Sequence, residues 1–144
     1  MQSPHHTNQS DCPVIFLAED DVDDQDLLAE ALHAIDPTIA LVSFSSGIKF
    51  LNRLQELDDA SLPGLIVLDY NIPELNGAEI LEHLNRDDRY KSIAKVIWST
   101  SDSKLYQKKC LELGASEYLI KPSNISGIRE VAEKMMMHYR NTKA

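Results

Sequence analysis

Cysteines, basic residues and long apolar runs are scarce in this sequence of 144 residues. Its two cysteines, Cys12 and Cys110, lie far apart and match neither a disulfide framework nor a zinc spacing, which favours a reducing compartment. With 14 basic and 23 acidic residues the net charge is −9, which disfavours a broad nucleic-acid-binding surface. No apolar run reaches the roughly 18 residues of a membrane span, and the polar start does not resemble a signal peptide. The sequence therefore predicts a cytoplasmic protein that binds neither nucleic acid nor membrane.

The rest of the composition is that of an ordinary globular protein. Apolar residues make up 43% and charged residues 26%, with five glycines and six prolines. This composition argues against collagen-like, low-complexity and disordered sequence. The length suits one compact core. We expect a flexible N-terminal tail over residues 1–12 and a single domain over residues 13–144.

Negative charge is concentrated near the start of the sequence. Between Asp11 and Asp36 there are nine acidic residues and no lysine or arginine. Such a cluster can bind a cation, or it can be a solvated helix start, where negative charge is favourable. A calcium loop is disfavoured because its turn glycine and its bidentate glutamate are missing. A solvated helix start is the preferred interpretation of four residues in the cluster, Asp21, Asp23, Asp24 and Asp26.

Five short apolar runs alternate with segments of helical spacing. The predicted strands are residues 14–18, 39–44, 65–68, 95–98 and 118–120. A helix follows each strand; the first spans about residues 23–35, and the last has Ile128, Met135 and Tyr139 on one side. Because neighbouring parallel strands need crossover connections, this alternation predicts an α/β domain. Its parallel sheet is expected to be covered by helices on both faces.

Polar residues stand where four of the predicted strands end. They are Glu19 and Asp20 after the first strand, Asp69 after the third, Ser99 and Thr100 after the fourth, and Lys121 after the fifth. The second strand is followed only by Ser45 and Ser46, as expected for an edge strand outside the site. Ligands of open parallel sheets bind beyond the carboxyl ends of the strands. We therefore expect carboxylates, a hydroxyl and an ammonium group to converge at this edge.

Carboxylates that lie close together repel one another, so such a site requires a bound cation or raised pKa values. A small number of hard oxygen ligands suits Mg²⁺, or Mn²⁺. A metal shared by Glu19, Asp20 and Asp69 would neutralise the charge that develops as a phosphoryl group moves onto Asp69. Lys121 would pair with the phosphate, and the Ser99 hydroxyl would donate to it. The sequence thus predicts an aspartyl phosphate at Asp69.

These strand ends resemble those of a known family. The motifs are LDYNIPELNG at residues 68–77, Glu19-Asp20 after a strand, Ser99 after another, and Lys121-Pro122 after a third. Together they resemble the CheY-like receiver domain of two-component response regulators, of the stand-alone type, over about residues 13–139. The resemblance implies a flavodoxin-like (βα)5 three-layer sandwich. Its five-stranded parallel sheet would have the order 2-1-3-4-5.

The resemblance also implies roles for individual residues. Asp69 would be the phosphoacceptor. The metal ligands would be Glu19, Asp20, Asp69 and the backbone carbonyl of Asn71. The phosphate-binding and switch residues would be Ser99, Tyr118 and Lys121. The Lys121–Pro122 bond is expected to be cis. Thr100 is an alternative to Ser99 as the switch hydroxyl, but counting 15 residues back from Gly114 favours Ser99.

The function implied by the resemblance is signalling without enzymatic turnover of a substrate. A histidine kinase or phosphotransfer protein would donate the phosphoryl group, and a downstream protein would bind the fourth helix, fifth strand and fifth helix. No DNA-binding output domain is expected in the chain. One alternative is an aspartyl-phosphate phosphohydrolase, although Asn71 stands where such enzymes have an aspartate that transfers a proton. Another is a scaffold of the same fold that acts without phosphorylation.

Overall fold

A computed structural model describes residues 12–143, in which strands and helices alternate as predicted. The strands are β1 (Val14–Ala18), β2 (Ala40–Phe44), β3 (Leu65–Asp69), β4 (Ala94–Ser99) and β5 (Glu117–Ile120). The helices are α1 (Val22–Ile35), α2 (Gly47–Glu56), α3 (Gly77–Asn85), α4 (Lys104–Glu112) and α5 (Ile125–Lys143). Short 3₁₀ helices, Asp59–Ser61 and Asp88–Tyr90, precede β3 and β4. The predicted tail over residues 1–12 lies outside the described residues except for Cys12.

The five strands form one parallel sheet in the order β2-β1-β3-β4-β5. This confirms the predicted fold class, the strand order and the edge position of β2. Because every connection carries a helix, the helices lie on both faces of the sheet. The strand order reverses between β1 and β3, and ligands of doubly wound sheets bind at such a point.

The sheet separates two apolar cores. On β1, Ile15 and Leu17 belong to the core beneath α1 and α5, whereas Phe16 and Ala18 belong to the core beneath α2, α3 and α4. This is the two-residue alternation of a strand that is covered on both faces. All five residues of β3 are buried, and only Asp69, at the carboxyl end of the strand, keeps any exposed surface.

Side-chain caps start the helices directly after the strand ends. Asp21 caps α1, and its side chain accepts a hydrogen bond from the Asp24 N–H at 3.0 Å. This cap lets α1 begin at Val22, one residue before its predicted start. Asn76 and Glu79 form a capping box at the start of α3. The helix starts therefore lie at the same edge of the sheet as the carboxyl ends of the strands.

The last helix packs the predicted apolar side against the sheet. Ile128, Met135 and Tyr139 are all buried, as expected from their spacing. Met136 is also buried, whereas Met137 is 58% exposed on the other side of α5. Within residues 12–143 we find no helix that combines the length and the hydropathy needed to cross a bilayer.

Candidate functional site

Strand register brings the predicted site residues to one edge of the sheet. The β1–β3 register sets Glu19 level with Asp69. Asp69 pairs with Trp98 of β4, so Ser99 lies one residue further along that strand. Ser99 in turn pairs with Ile120 of β5, and Lys121 is the next residue. The Lys121 N–H donates to the Ser99 carbonyl at 2.7 Å, which fixes the start of the loop after β5.

Strand alternation directs three of these side chains to the same face of the sheet. The residues two positions before them, Leu17, Val67 and Leu119, all belong to the core beneath α1 and α5. Glu19, Asp69 and Lys121 continue this alternation at the strand ends. Their side chains therefore meet on the side of the sheet where α1 begins.

Lys121 lies at the centre of this group. Its Nζ is 2.7 Å from Glu19 Oε1, 2.8 Å from Asp24 Oδ2 and 3.2 Å from Asp69 Oδ2. Burial lowers the pKa of Lys121, but hydrogen bonds with Asp24 and Glu19 and the charge of Asp69 more than offset this, so the pKa lies above its ordinary value. The side chain is 9% exposed and keeps its positive charge at neutral pH.

Glu19 is the most strongly perturbed carboxyl group of the site. It is fully buried, and this burial raises its pKa from 4.5 to about 7, although the Lys121 contact acts in the opposite direction. Asp69 raises the pKa further through a shared hydrogen bond and through repulsion. The Asp21 N–H donates to Glu19 Oε2 at 3.1 Å and lowers the pKa. The negative charge of this carboxyl group is therefore unfavourable even with Lys121 beside it.

The carboxylates form a cluster with the spacing of a metal site. One oxygen from each of Glu19, Asp20 and Asp69 lies within 4.8 Å of the others. Asp20 is exposed, so this side of the cluster opens to solvent. Carboxylate oxygens are hard ligands, and a site with few of them fits a divalent ion that keeps several waters, such as Mg²⁺. The donor set therefore fits the predicted cofactor.

Asp69 is held in place from both sides. The Asn71 N–H donates to Asp69 Oδ1 at 3.1 Å, while Asp69 Oδ2 faces Lys121. This contact places the Asn71 N–H beside the carboxylate, and the role of the Asn71 carbonyl as a metal ligand stays a prediction. The Asp69 side chain is 8% exposed.

The two candidate hydroxyls differ in their surroundings. Ser99 is fully buried, and its Oγ accepts a hydrogen bond from the Ser101 N–H at 3.1 Å. Thr100 is exposed. Tyr118 is partly buried and donates its hydroxyl hydrogen to the Ser101 carbonyl at 2.9 Å. The loop after β4 thus connects Ser99 with Tyr118, whereas the Thr100 side chain extends towards solvent.

The expectation of a cis Lys121–Pro122 bond is wrong. Residues 12–143 contain no cis peptide bond, so this bond is trans. The trans form is the favoured isomer even before proline, by about 0.5–1 kcal/mol. With this bond in the trans form, the Lys121 ammonium group still contacts Glu19 and Asp69.

Sequence analysis missed two contacts of Lys121. Asp24, interpreted there as part of a solvated helix start, lies in the first turn of α1 and pairs with the ammonium group. Trp98, in β4, lies with its ring centroid 4.9 Å from Lys121 Nζ, within the range of a cation–π contact. No local signal in the sequence indicates either contact, because Asp24 and Trp98 both lie far from Lys121 along the chain.

Comparison with known proteins agrees with this geometry. Residues 15–133 match the sequence profile of the response regulator receiver domain. The chain is 31% identical over 118 residues to protein-glutamate methylesterase/protein-glutamine glutaminase 1 of Methanospirillum hungatei. That match covers 81% of this chain but 32% of the methylesterase, so the chain spans about a third of that relative.

Two solved structures are similar to this chain over most of its length and most of their own. The phosphorylated cyanobacterial phytochrome response regulator RcpA has a TM-score of 0.81 at 28% identity, over 90% of this chain and 95% of RcpA. The Mn²⁺-bound form of response regulator Rcp1 has a TM-score of 0.75 at 27% identity, over 85% of this chain and 90% of Rcp1. The fold, the acidic cluster and these similarities lead to one conclusion: the chain belongs to the receiver domain family of two-component response regulators.

Proposed function

We propose that this chain is a phosphoacceptor that takes a phosphoryl group onto Asp69 and signals through the resulting change of its surface. The observation that carries the proposal is the convergence of Glu19, Asp69 and Lys121 at the carboxyl edge of the sheet. A carboxylate nucleophile needs a route for an incoming phosphoryl group and positive charge to receive it. Lys121 supplies one such charge, and the acidic cluster fits a divalent metal that supplies the other.

In the proposed reaction, one Asp69 oxygen forms a bond to phosphorus as the bond to the donor breaks. The leaving group is the imidazole of a phosphohistidine, or acetate when acetyl phosphate is the donor, and it takes the electron pair of the broken bond. Glu19, Asp20, Asp69 and the Asn71 carbonyl would hold Mg²⁺ or Mn²⁺, which neutralises phosphoryl charge. Lys121 and the Ser99 hydroxyl would contact the phosphoryl oxygens.

The contacts around the site support a route from Asp69 to the surface. Tyr70, the residue after Asp69, stacks on Tyr106 of α4 with ring centroids 4.3 Å apart. Tyr118 is hydrogen-bonded to the loop after Ser99. Contacts of the phosphoryl group with Ser99 and Lys121 would favour one of two conformations, and Tyr118 would move inward in the phosphorylated state.

The surface proposed to change is formed by α4, β5 and α5. Five apolar side chains are exposed on these elements: Leu105 (73%), Leu111 (49%), Ile120 (44%), Ile125 (61%) and Met137 (58%). Exposed apolar groups of this size are typical of a protein-binding surface when they lie together. The proposed partners are a cytoplasmic histidine kinase or phosphotransfer protein as donor and a downstream protein that binds this surface.

Phosphorylation of Asp69 can be tested by intact-mass measurement. After incubation with acetyl phosphate and Mg²⁺, the wild-type protein is expected to gain the mass of one phosphoryl group. Asp69→Asn should gain none, because its amide is not a nucleophile for this transfer. Asp26→Asn is a matched control, since Asp26 is an exposed aspartate of α1, and it should be modified like wild type.

The proposal fails if the wild-type protein gains no phosphoryl mass, or if Asp69→Asn gains as much as wild type. Sustained release of phosphate from a generic phosphomonoester would instead support the phosphohydrolase alternative. Phosphorylation that leaves the α4–β5–α5 surface unchanged in hydrogen exchange would contradict the signalling part of the proposal.

A further inference from the structure

Asp24 is the contact of Lys121 that the proposed chemistry does not use. Its Oδ2 lies 2.8 Å from Lys121 Nζ, closer than the 3.2 Å between Nζ and Asp69. It lies in the first turn of α1, on the side of the sheet where the Glu19, Asp69 and Lys121 side chains meet. Asp24 is therefore a third carboxylate partner for a single ammonium group.

An ammonium group has three N–H donors. In this structure three carboxylates surround Lys121 Nζ: it donates hydrogen bonds to Asp24 and Asp69 and forms an ion pair with Glu19 at 2.7 Å. Two of the three, Glu19 and Asp69, belong to the acidic cluster with metal-site spacing. Asp24 is not a member of that cluster, and it can pair with Lys121 without using a metal-ligating oxygen.

We propose that Asp24 is a positioning residue that keeps Lys121 at the site when a divalent metal takes the Glu19 and Asp69 oxygens. The inference rests on the proposed function, because it assigns to Asp24 the placing of the ammonium group that would receive the phosphoryl group. Lys121 and a divalent cation compete for the same carboxylates, since both carry positive charge. Asp24 reduces this competition by offering Lys121 a separate partner.

Burial explains why Asp24 suits this role. Its side chain is 29% exposed, whereas Glu19 is fully buried and Asp69 is 8% exposed. Water can therefore solvate the Asp24 carboxylate when Lys121 turns towards a phosphoryl group. Breaking the Lys121–Asp24 ion pair then costs little free energy, because the carboxylate is not left desolvated. In the metal-free site, loss of Lys121 from Glu19 would leave a buried carboxylate without a cation. Asp24 is thus the partner that Lys121 can most readily leave and regain.

Removal of the Asp24 charge is expected to leave Lys121 on Glu19 and Asp69 and so to weaken metal binding. For Asp24→Asn we expect the dissociation constant for Mg²⁺ to rise about fivefold, as for the loss of a partly exposed ion pair. Asp24→Glu should bind Mg²⁺ with near wild-type affinity. With Lys121→Met, which removes the competing cation, adding Asp24→Asn should change Mg²⁺ affinity by less than about twofold.

The experiment is an Mg²⁺ titration of each variant, followed by the fluorescence of Trp98. This residue is the only tryptophan of the chain, and its ring contacts Lys121, so it reports on the site directly. An Mn²⁺ titration by electron paramagnetic resonance provides a second measurement. Asp23→Asn is the matched control, because it removes the same charge from an exposed neighbour in the same helical turn. At about 0.15 M salt its effect should stay under twofold.

Each outcome decides the proposal. A loss of affinity for Asp24→Asn that exceeds that of Asp23→Asn and disappears in the Lys121→Met protein supports it. Equal losses for the two aspartates, or a loss that persists without Lys121, would overturn it, because Asp24 would then act through its own charge. If the Mg²⁺ affinities of the variants follow the supporting pattern but Asp69 is not phosphorylated, only the proposed function is rejected. Wild-type protein that does not bind Mg²⁺ would overturn both.

Discussion

At the scale of the single residue, the candidate site contains a carboxyl group whose negative charge is destabilised by burial. Glu19 is fully buried, and its pKa is raised to about 7 because desolvation outweighs the contact with Lys121. A folded protein that leaves a buried carboxylate close to another carboxylate, Asp69, loses stability when both are charged. The binding of a divalent cation would relieve this cost, and it would then link metal affinity to the stability of the fold.

This link predicts a pH dependence of the metal-free protein. The pKa of Glu19 is higher in the folded protein, about 7, than its ordinary value of 4.5, so the folded state binds more protons between these values. The free energy of unfolding should therefore decrease by about 2 kcal/mol as the pH rises from about 5 to about 8. Glu19→Gln should flatten this decrease. Urea denaturation with a chelator present, at a series of pH values, measures the difference.

Glu30→Gln serves as the control, since Glu30 is an exposed glutamate of α1 and should keep the wild-type slope. Identical slopes for wild type and Glu19→Gln would show that Glu19 does not titrate in this range. Added Mg²⁺ should reduce the slope for wild type, because the metal favours the charged form of Glu19.

At the scale of the element, the loop between β3 and α3 is held against the start of α2. The Gly47 N–H donates to the Pro73 carbonyl at 3.1 Å. A Cβ at position 47 would lie 2.7 Å from both the Cβ and the carbonyl oxygen of Leu75. Glu74, in the same loop, has a φ of 75°, a backbone angle that residues other than glycine rarely adopt. The loop that follows Asp69 is therefore fixed in a specific shape by α2.

Gly47→Ala is expected to destabilise the protein by about 2 kcal/mol, because the backbone at Leu75 must move to admit the methyl group. Its effect on phosphorylation should be a slower reaction, since the loop that carries Asn71 moves with it. Thermal unfolding and the rate of mass gain with acetyl phosphate measure the two effects. Ser45→Ala, at an exposed position two residues earlier, should change neither. An unchanged melting temperature for Gly47→Ala would contradict the close packing.

At the scale of the whole molecule, the sheet is most protected in its centre. Every residue of β3 is buried and β1 is nearly so, whereas β2, at one edge, is mostly exposed or half-buried. The edge strand β5 has one buried residue, Leu119. The free energy of local unfolding should therefore differ across the sheet and be highest in β3, the strand that ends in Asp69.

Hydrogen exchange can test this inequality. We expect the amides of β3 to exchange slowest, through global unfolding, and those of β2 to exchange at least about tenfold faster through local opening. Exchange measured by mass spectrometry on peptides that cover each strand, corrected for intrinsic rates, gives the comparison. The expectation would be contradicted by β2 amides that are as protected as those of β3.

The sequence by itself determined the fold class and the positions of the polar residues that form most of the candidate site. Apolar runs of strand length, separated by helical spacing, predicted the five parallel strands, and buried strands made this signal strong because both faces are covered. The polar residues after those runs, such as Asp69 and Lys121, could be located because a strand end is a local feature of the chain. The resemblance then supplied the strand order, which periodicity alone does not give.

Only the tertiary structure decided which of these residues touch. Asp24 and Lys121 are 97 residues apart in the sequence, and no local pattern indicates their contact. The raised pKa of Glu19 also depends on burial by distant elements. The trans Lys121–Pro122 bond is a further case, because a Lys-Pro sequence is compatible with either isomer. Periodicity is a property of neighbours, whereas ion pairing and desolvation depend on distances that exist only after the sheet has formed.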